Sequence, residues 1–214
     1  MPYIIRPRSF PAWAMAACGV MLALGAGPAQ AATSDTSTQA TEITLPSQCT
    51  QPTLSQPFLY AGDSNFYALA PGQTTESFNG DGWTLSGGAS IQTTTLSEGQ
   101  QGSVLDLPGG SKAVSPTFCV TSEYPRARTL IRDVAGSGGL AFYASYLGTP
   151  TWEEPKNTGR VAGAAPGQWV LSRSFSMRPY SVPGWQIARF TVVAPGGSTS
   201  DYQIYNLYVD PYKR

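Results

Sequence analysis

The chain has no histidine in its 214 residues. That removes Ser-His-Asp and Cys-His nucleophile systems and every histidine-bearing metal site, zinc above all. Cysteine is nearly as scarce, at three. Charged residues are 12% of the chain, against roughly 25% in an ordinary soluble domain. Neither sign is in excess, with 13 basic and 13 acidic side chains, so nothing points to nucleic acid as a partner. Beyond Cys49 no window keeps apolar residues at i, i+3 and i+4 for three turns, as an amphipathic helix requires. The Gly-rich pieces "GSGG" and "PGGS" match neither a P-loop nor a dinucleotide fingerprint. No cofactor is therefore expected.

The N-terminus is of a different kind. "MPYIIRPRSF" carries Arg6 and Arg8 and no acid, an apolar run follows from Ala12 to Gly27, and "PAQAA" supplies small residues at Ala29 and Ala31. A basic start, an apolar middle and a small-residue exit make a secretory signal peptide over residues 1–31. The apolar run is shorter than the roughly 20 residues that span a bilayer, so after cleavage no membrane association is expected. Cleavage before Cys18 would leave half of the apolar run in the mature chain, so Cys18 is not a lipid-attachment site and departs with the leader. The loss of Arg6 and Arg8 leaves 11 basic against 13 acidic residues, a net charge of about −2. Residues 32–48, Ser/Thr-rich and without an aromatic, read as a flexible tether.

Two cysteines, Cys49 and Cys119, remain in an exported, extracellular chain, and an even count there implies a disulfide. It would close a loop of about 70 residues and contribute up to about 4 kcal/mol by restricting the unfolded chain. Residues 49–214 are then one domain, large enough to bury a full core.

Short β-branched and aromatic runs recur through that domain, bounded by "PGQ", "NGDG", "SGGA", "PGGS", "GSGG" and "PGG". Strands are expected at 66–69, 83–85, 90–96, 103–107, 114–120, 129–134, 140–146, 168–175, 186–193 and 202–209. Many short strands with frequent turns make an all-β fold, a two-sheet antiparallel β-sandwich of jelly-roll type. Alternation places Leu105 and Leu107, then Leu140, Phe142, Ala144 and Tyr146, then Ala188, Phe190 and Val192 on core-facing sides. In "DYQIYNLYVD" the apolar residues change parity between Ile204 and Leu207. One extra residue near Tyr205 and Asn206, a β-bulge, would let Ile204, Leu207 and Val209 all face inward, with Tyr208 outward and one or two rings left uncovered.

The same strand, "IYNLYVDPY", is similar to the closing I-D-D-V-x-V/L strand of jelly-roll carbohydrate-binding modules with the galactose-binding-like fold. From "QPFLYAGD" through "GWTLSGGA", "LPGGSKAVSPTFCV", "IARFT" and "VDPYKR", the chain also resembles uncharacterised secreted two-cysteine proteins of actinobacterial type. The first resemblance implies glycan binding, and in some such modules a structural calcium held in part by a carboxylate of this strand. Tyr205 and Asn206 stand where the paired acids would be, which leaves Asp210 as the calcium candidate.

Carboxylates alone can hydrolyse a glycoside when two of them flank the bond. Glu153 and Glu154 are adjacent, and neighbours on an extended chain point apart, so no catalytic residue is assigned and a glycoside-active enzyme ranks last. "NGDG" and "GDSN" read as turns rather than calcium loops. The candidate ligand surface is aromatic. Trp152 lies in the longest stretch without a strand, 147–167, beside Glu153 and Glu154, and Tyr143 points away from the core. Arg128 and Arg132 are placed on the polar side of a neighbouring strand. Rings stack on the apolar faces of sugars while the charged groups bind hydroxyls, so a non-catalytic module for polysaccharide or cell-wall glycan leads. The alternatives are a structural or adhesive protein acting through protein contacts and, for Trp152, a lid folded over one end of the sandwich.

Overall fold

A computed structural model describes residues 49–197 and 199–212. The signal peptide and the tether expected at 1–31 and 32–48 lie outside the described residues. Among the described residues there is no α-helix, only a single 3-10 turn at Leu59–Ala61 and a succession of antiparallel strands. In chain order these are β1 Ala68–Leu69, β2 Thr84–Ser86, β3 Ser90–Thr95, β4 Gln101–Pro108, β5 Lys112–Val114, β6 Phe118–Thr121 and β7 Arg126–Ala135. There follow β8 Leu140–Tyr146, β9 Lys156–Val161, β10 Trp169–Leu171, β11 Phe175–Ser176, β12 Trp185–Val193 and β13 Asp201–Asp210.

They form two sheets. A seven-stranded sheet runs β10-β7-β13-β4-β3, with β1 on β13 and β11 on β7. A six-stranded sheet runs β2-β5-β12-β8-β9, with β6 on β12. Their inner faces share one core, to which Leu105, Leu107, Ile131 and Ile204 come from the first sheet and Phe142, Ala144, Phe190 and Val192 from the second. This is a jelly-roll-like β-sandwich, and the alternation that placed these side chains inward holds.

Three expectations change. The stretch 147–167 is not irregular throughout, because β9 lies within it. Its residues, KNTGRV, are polar because β9 is a sheet edge, paired only with β8, and this hides the alternating pattern. The strand expected at 114–120 is broken into β5 and β6, and that at 168–175 into β10 and β11. Each break inserts one extra residue opposite an unbroken partner strand: 114 to 118 spans four steps where β12 takes three, and 171 to 175 spans four where β7 takes three. The same device repairs both ladders. The Ser115 hydroxyl accepts the Phe190 N–H at 2.8 Å, and the Ser172 hydroxyl accepts the Thr129 N–H at 3.0 Å. Both serines are buried, so each replaces a ladder bond that water cannot supply.

The bulge in β13 is where the parity change requires it. Its register with β7 shifts between Tyr205 and Tyr208, and Asn206 takes a left-handed φ of 51°. Ile204, Leu207 and Val209 all enter the core. Gln73 clamps the bulge, its amide accepting the Leu207 N–H at 3.1 Å and donating to the Leu207 carbonyl at 3.0 Å. No ring of the strand is left uncovered. Tyr202 is in the core, Tyr205 packs edge-on against Trp169, and Tyr208 faces outward but is buried with Phe58 and Tyr67 in a satellite cluster.

The expected Cys49–Cys119 disulfide is present, with the two Cα atoms 5.8 Å apart. It ties the start of the described chain to β6. "GDSN" and "NGDG" are turns: the Asp63 carboxylate accepts the Asn65 N–H, and Gly80 and Gly82 take φ of 78° and 75°, open to glycine at little cost.

Replacement of Ser115 or Ser172 by alanine leaves a buried N–H without an acceptor. Each change is expected to lower stability by about 1–3 kcal/mol, measured by urea unfolding, whereas Ser→Thr, which keeps the hydroxyl, is expected to lose less.

Candidate functional site

Parity assigns each candidate side chain to a face. On the outer side of the six-stranded sheet, Tyr143 lies opposite Thr191 of β12 and Asn157 of β9, and Ser145 lies opposite Arg189. The chain leaving β8 turns back at once: Leu147 and Trp152 form an isolated antiparallel bridge, and the Glu153 N–H donates to the Tyr146 carbonyl at 2.9 Å. This brings the Trp152 ring over the Arg189 guanidinium, 4.0 Å from the ring centroid. Such a stack contributes ~0.5–2 kcal/mol, more as it is drier. Trp152 and Tyr143 are both half-buried. Trp152 thus caps the outer face of one sheet and does not close an end of the sandwich.

Two polar atoms under this surface are left without protein partners. Arg189 Nε and Ser145 Oγ are buried and make no hydrogen bond among the described residues. A buried donor in that state costs about 1–3 kcal/mol unless water or a ligand meets it. Sequence reasoning missed Arg189, Ser145, Thr191 and Asn157 as members of this surface. Their parity was readable, but the return of residues 148–152 over β12 was not.

Glu153 and Glu154 are exposed. Glu153 acts at the sandwich rim, where Lys156 stands 3.3 Å over the Tyr180 ring and 5.6 Å from that of Tyr146. Burial pushes the Lys156 ammonium below its ordinary value, against the opposing pull of Glu153.

Arg128 and Arg132 do not join this surface, which corrects the expectation. Both lie on β7, on the outer face of the other sheet. Arg128 is an internal tie: Nη1 meets Asp63 Oδ2 at 2.6 Å, Nε and Nη2 donate to the Ser172 carbonyl at 3.0 and 2.9 Å, and the guanidinium covers Phe58. Arg132 donates through Nε and Nη2 to Gln203 Oε1, reaches Thr94 at 2.8 Å, and stacks 4.7 Å from the Trp169 ring centroid. Gln203 in turn donates to Asp106 at 2.7 Å. The Trp169 indole N–H donates to the Thr95 carbonyl at 2.9 Å, and the Tyr205 hydroxyl meets Ser97 and Glu98. Burial, with Glu98 nearby, pushes that phenol up to about 12, against the Ser97 hydrogen bonds. The end of β3 therefore curls across this face and engages Arg132, Trp169 and Tyr205, while Asp201 Oδ1 and Asn206 Oδ1 of β13 are buried without a hydrogen-bond partner among the described residues.

Asp210 is buried and accepts the Tyr212 N–H at 3.1 Å. Among the described residues no group of three or more Asp, Glu, Cys or His gathers as a metal set. No helix among them is long and apolar enough to cross a membrane.

No family model matches the chain, and no curated protein does; the resemblance to secreted actinobacterial proteins thus has no family match behind it. Solved structures do match. The CBM22-1 xylan-binding domain from Paenibacillus barcinonensis Xyn10C is 18% identical, covering 66% of this chain and 90% of that one, with a TM-score of 0.40. The C-terminal CBM6 of the laminarinase LamC from Zobellia galactanivorans is 13% identical, over 59% and 90%, with a TM-score of 0.33. The family 11 carbohydrate-binding module from Clostridium thermocellum is 11% identical, over 62% and 91%, also at 0.33. No functional residue is carried over from any of them.

Two expectations follow from the geometry. Burial raises the Asp63 carboxyl, but hydrogen bonds from Tyr67, Asn65 N–H and Arg128 outweigh it and hold the group below its ordinary 3.8. A depressed carboxyl stabilises the fold above its unfolded value and loses that contribution as pH falls through the folded value. Thermal stability should thus fall below about pH 4, and Asp63→Asn should be less stable at pH 7 and flatter across that acid range. Separately, Trp169→Ala, which removes the cover of Tyr205 and the indole bond to Thr95, is expected to cost about 1–3 kcal/mol in urea unfolding, and Trp152→Ala, whose indole makes no hydrogen bond among the described residues, less.

Proposed function

We propose that the protein is an exported, non-catalytic module that binds polysaccharide through the outer face of its six-stranded sheet. The observation that carries this reading is the Trp152–Arg189 stack beside Tyr143, two half-exposed rings on one outer face. A pyranose ring offers apolar C–H faces to an aromatic ring and hydroxyls that both donate and accept. The half-exposed rings of Trp152 and Tyr143 suit the first, and Arg189, Thr191 and Asn157 suit the second. The partners lie on adjacent strands, so the surface is a row rather than a pit, as the side of an extended sugar chain requires. The disulfide supports an oxidising, extracellular setting.

A second reading, a structural or adhesive protein acting through protein contacts, is favoured by Leu59 and Tyr60, which stand 57% and 73% exposed on the 3-10 turn. Pull-down of the purified exported protein on insoluble xylan, cellulose, chitin and bacterial cell wall separates the two. Retention on at least one matrix is expected, with Trp152→Ala weakening it by about tenfold or more. Retention on none, with self-association lost when Tyr60 becomes serine, would replace the first reading by the second.

A further inference from the structure

At one end of the sandwich the β6–β7 turn and the segment after β11 flank an open cavity of about 550 Å³. Ser122, Glu123, Tyr124, Ser176, Arg178 and Ser181 are among the residues that line it. Among the described residues three non-glycine residues take a left-handed φ. One is Asn206 in the β13 bulge, and the other two, Tyr124 at 56° and Arg178 at 50°, both line this cavity. Such a conformation costs a residue with a Cβ roughly 1–2 kcal/mol. It persists where surrounding bonds over-determine it, and such positions cluster at binding sites.

The surrounding bonds are in place. The Tyr124 N–H donates to the Ser122 carbonyl and the Arg178 N–H to the Ser176 hydroxyl. Ser122 N–H to Gly184 O and Met177 N–H to Pro125 O join the two walls. Gln186 fixes the second wall from β12, its amide accepting the Tyr180 N–H and donating to the Tyr180 carbonyl. The cavity is therefore formed before any ligand arrives, which lowers the ordering cost of binding.

What the strained turns present is chemically specific. Tyr124, 68% exposed, brings an aromatic ring to the lining of a concave site. Beside it are the Glu123 carboxylate, an acceptor only, and the Arg178 guanidinium, a donor only, whose side chains make no hydrogen bond or ion pair among the described residues. Serine hydroxyls, which do both, complete the lining. A ring for a C–H face, with separate donors and acceptors for hydroxyls, fits a neutral sugar. A concave site about 550 Å³ in volume, unlike the row on the six-stranded sheet, suits the end of a chain.

We propose that this cavity is a second binding site, for the terminal residue of a neutral sugar chain. It is independent of the sheet surface of the preceding subsection and stands or falls apart from it. The test is a titration of the ¹⁵N-labelled exported protein with free xylose, glucose, galactose, mannose and N-acetylglucosamine, followed by amide shifts. Saturating shifts at Glu123, Tyr124 and Arg178 are expected with at least one sugar, and unchanged in Trp152→Ala. Tyr124→Asn and Arg178→Gly remove the side chains while tolerating a left-handed backbone. Each is expected to weaken binding about tenfold or more while keeping wild-type spectra elsewhere. The proposal is overturned by no saturating shift with any of the five sugars, or by shifts that survive both variants. Neither result would alter the dependence of polysaccharide retention on Trp152.

Discussion

The extra residue at Asn206 organises the molecule. β13 is the central strand of the seven-stranded sheet, bonded to β7, β4 and β1. Without the bulge its two apolar groups would face opposite ways and the strand would lose part of its inward side chains. With it, Ile204, Leu207 and Val209 reach the core, and Tyr205 and Tyr208 are delivered to the outer face. Two aromatic rings on an outer face demand cover. Trp169 and the curled end of β3 cover Tyr205, and Phe58 and Tyr67, pinned by the Asp63–Arg128 pair, cover Tyr208.

That cover decides which face is left for a ligand. The seven-stranded sheet has its cations already engaged: Arg128 with Asp63 and Ser172, Arg132 with Gln203 and Thr94. The six-stranded sheet is different. Its outer face carries a half-exposed tryptophan stacked on an arginine, next to the half-exposed Tyr143. The Trp169 N–H is spent on the Thr95 carbonyl, whereas Trp152 makes no indole hydrogen bond among the described residues.

Much of this was readable in the sequence, because period-two alternation responds directly to burial on one side of a sheet. It placed Leu105, Phe142 and Phe190 inward, and the broken parity of the last strand located its bulge. An even cysteine count gave the disulfide. Alternation tells in from out, but not which of two sheets a strand joins. Arg128 and Arg132 were therefore set beside Trp152 when they lie across the sandwich from it. β9 was hidden because an edge strand with polar residues carries no alternating signal. The roles of Trp169 and Tyr205 depend on the curl of β3 over its own sheet, a long-range feature with no local signature.

The most direct test of the account is the indole N–H spectrum of the ¹⁵N-labelled protein during titration with soluble fragments of a polysaccharide that retains it. The account predicts that the Trp152 resonance moves and saturates while those of Trp83 and Trp169, bonded to the Pro71 and Thr95 carbonyls, stay in place. Movement of Trp169 with Trp152 unmoved would contradict it, and would assign the ligand to the seven-stranded sheet.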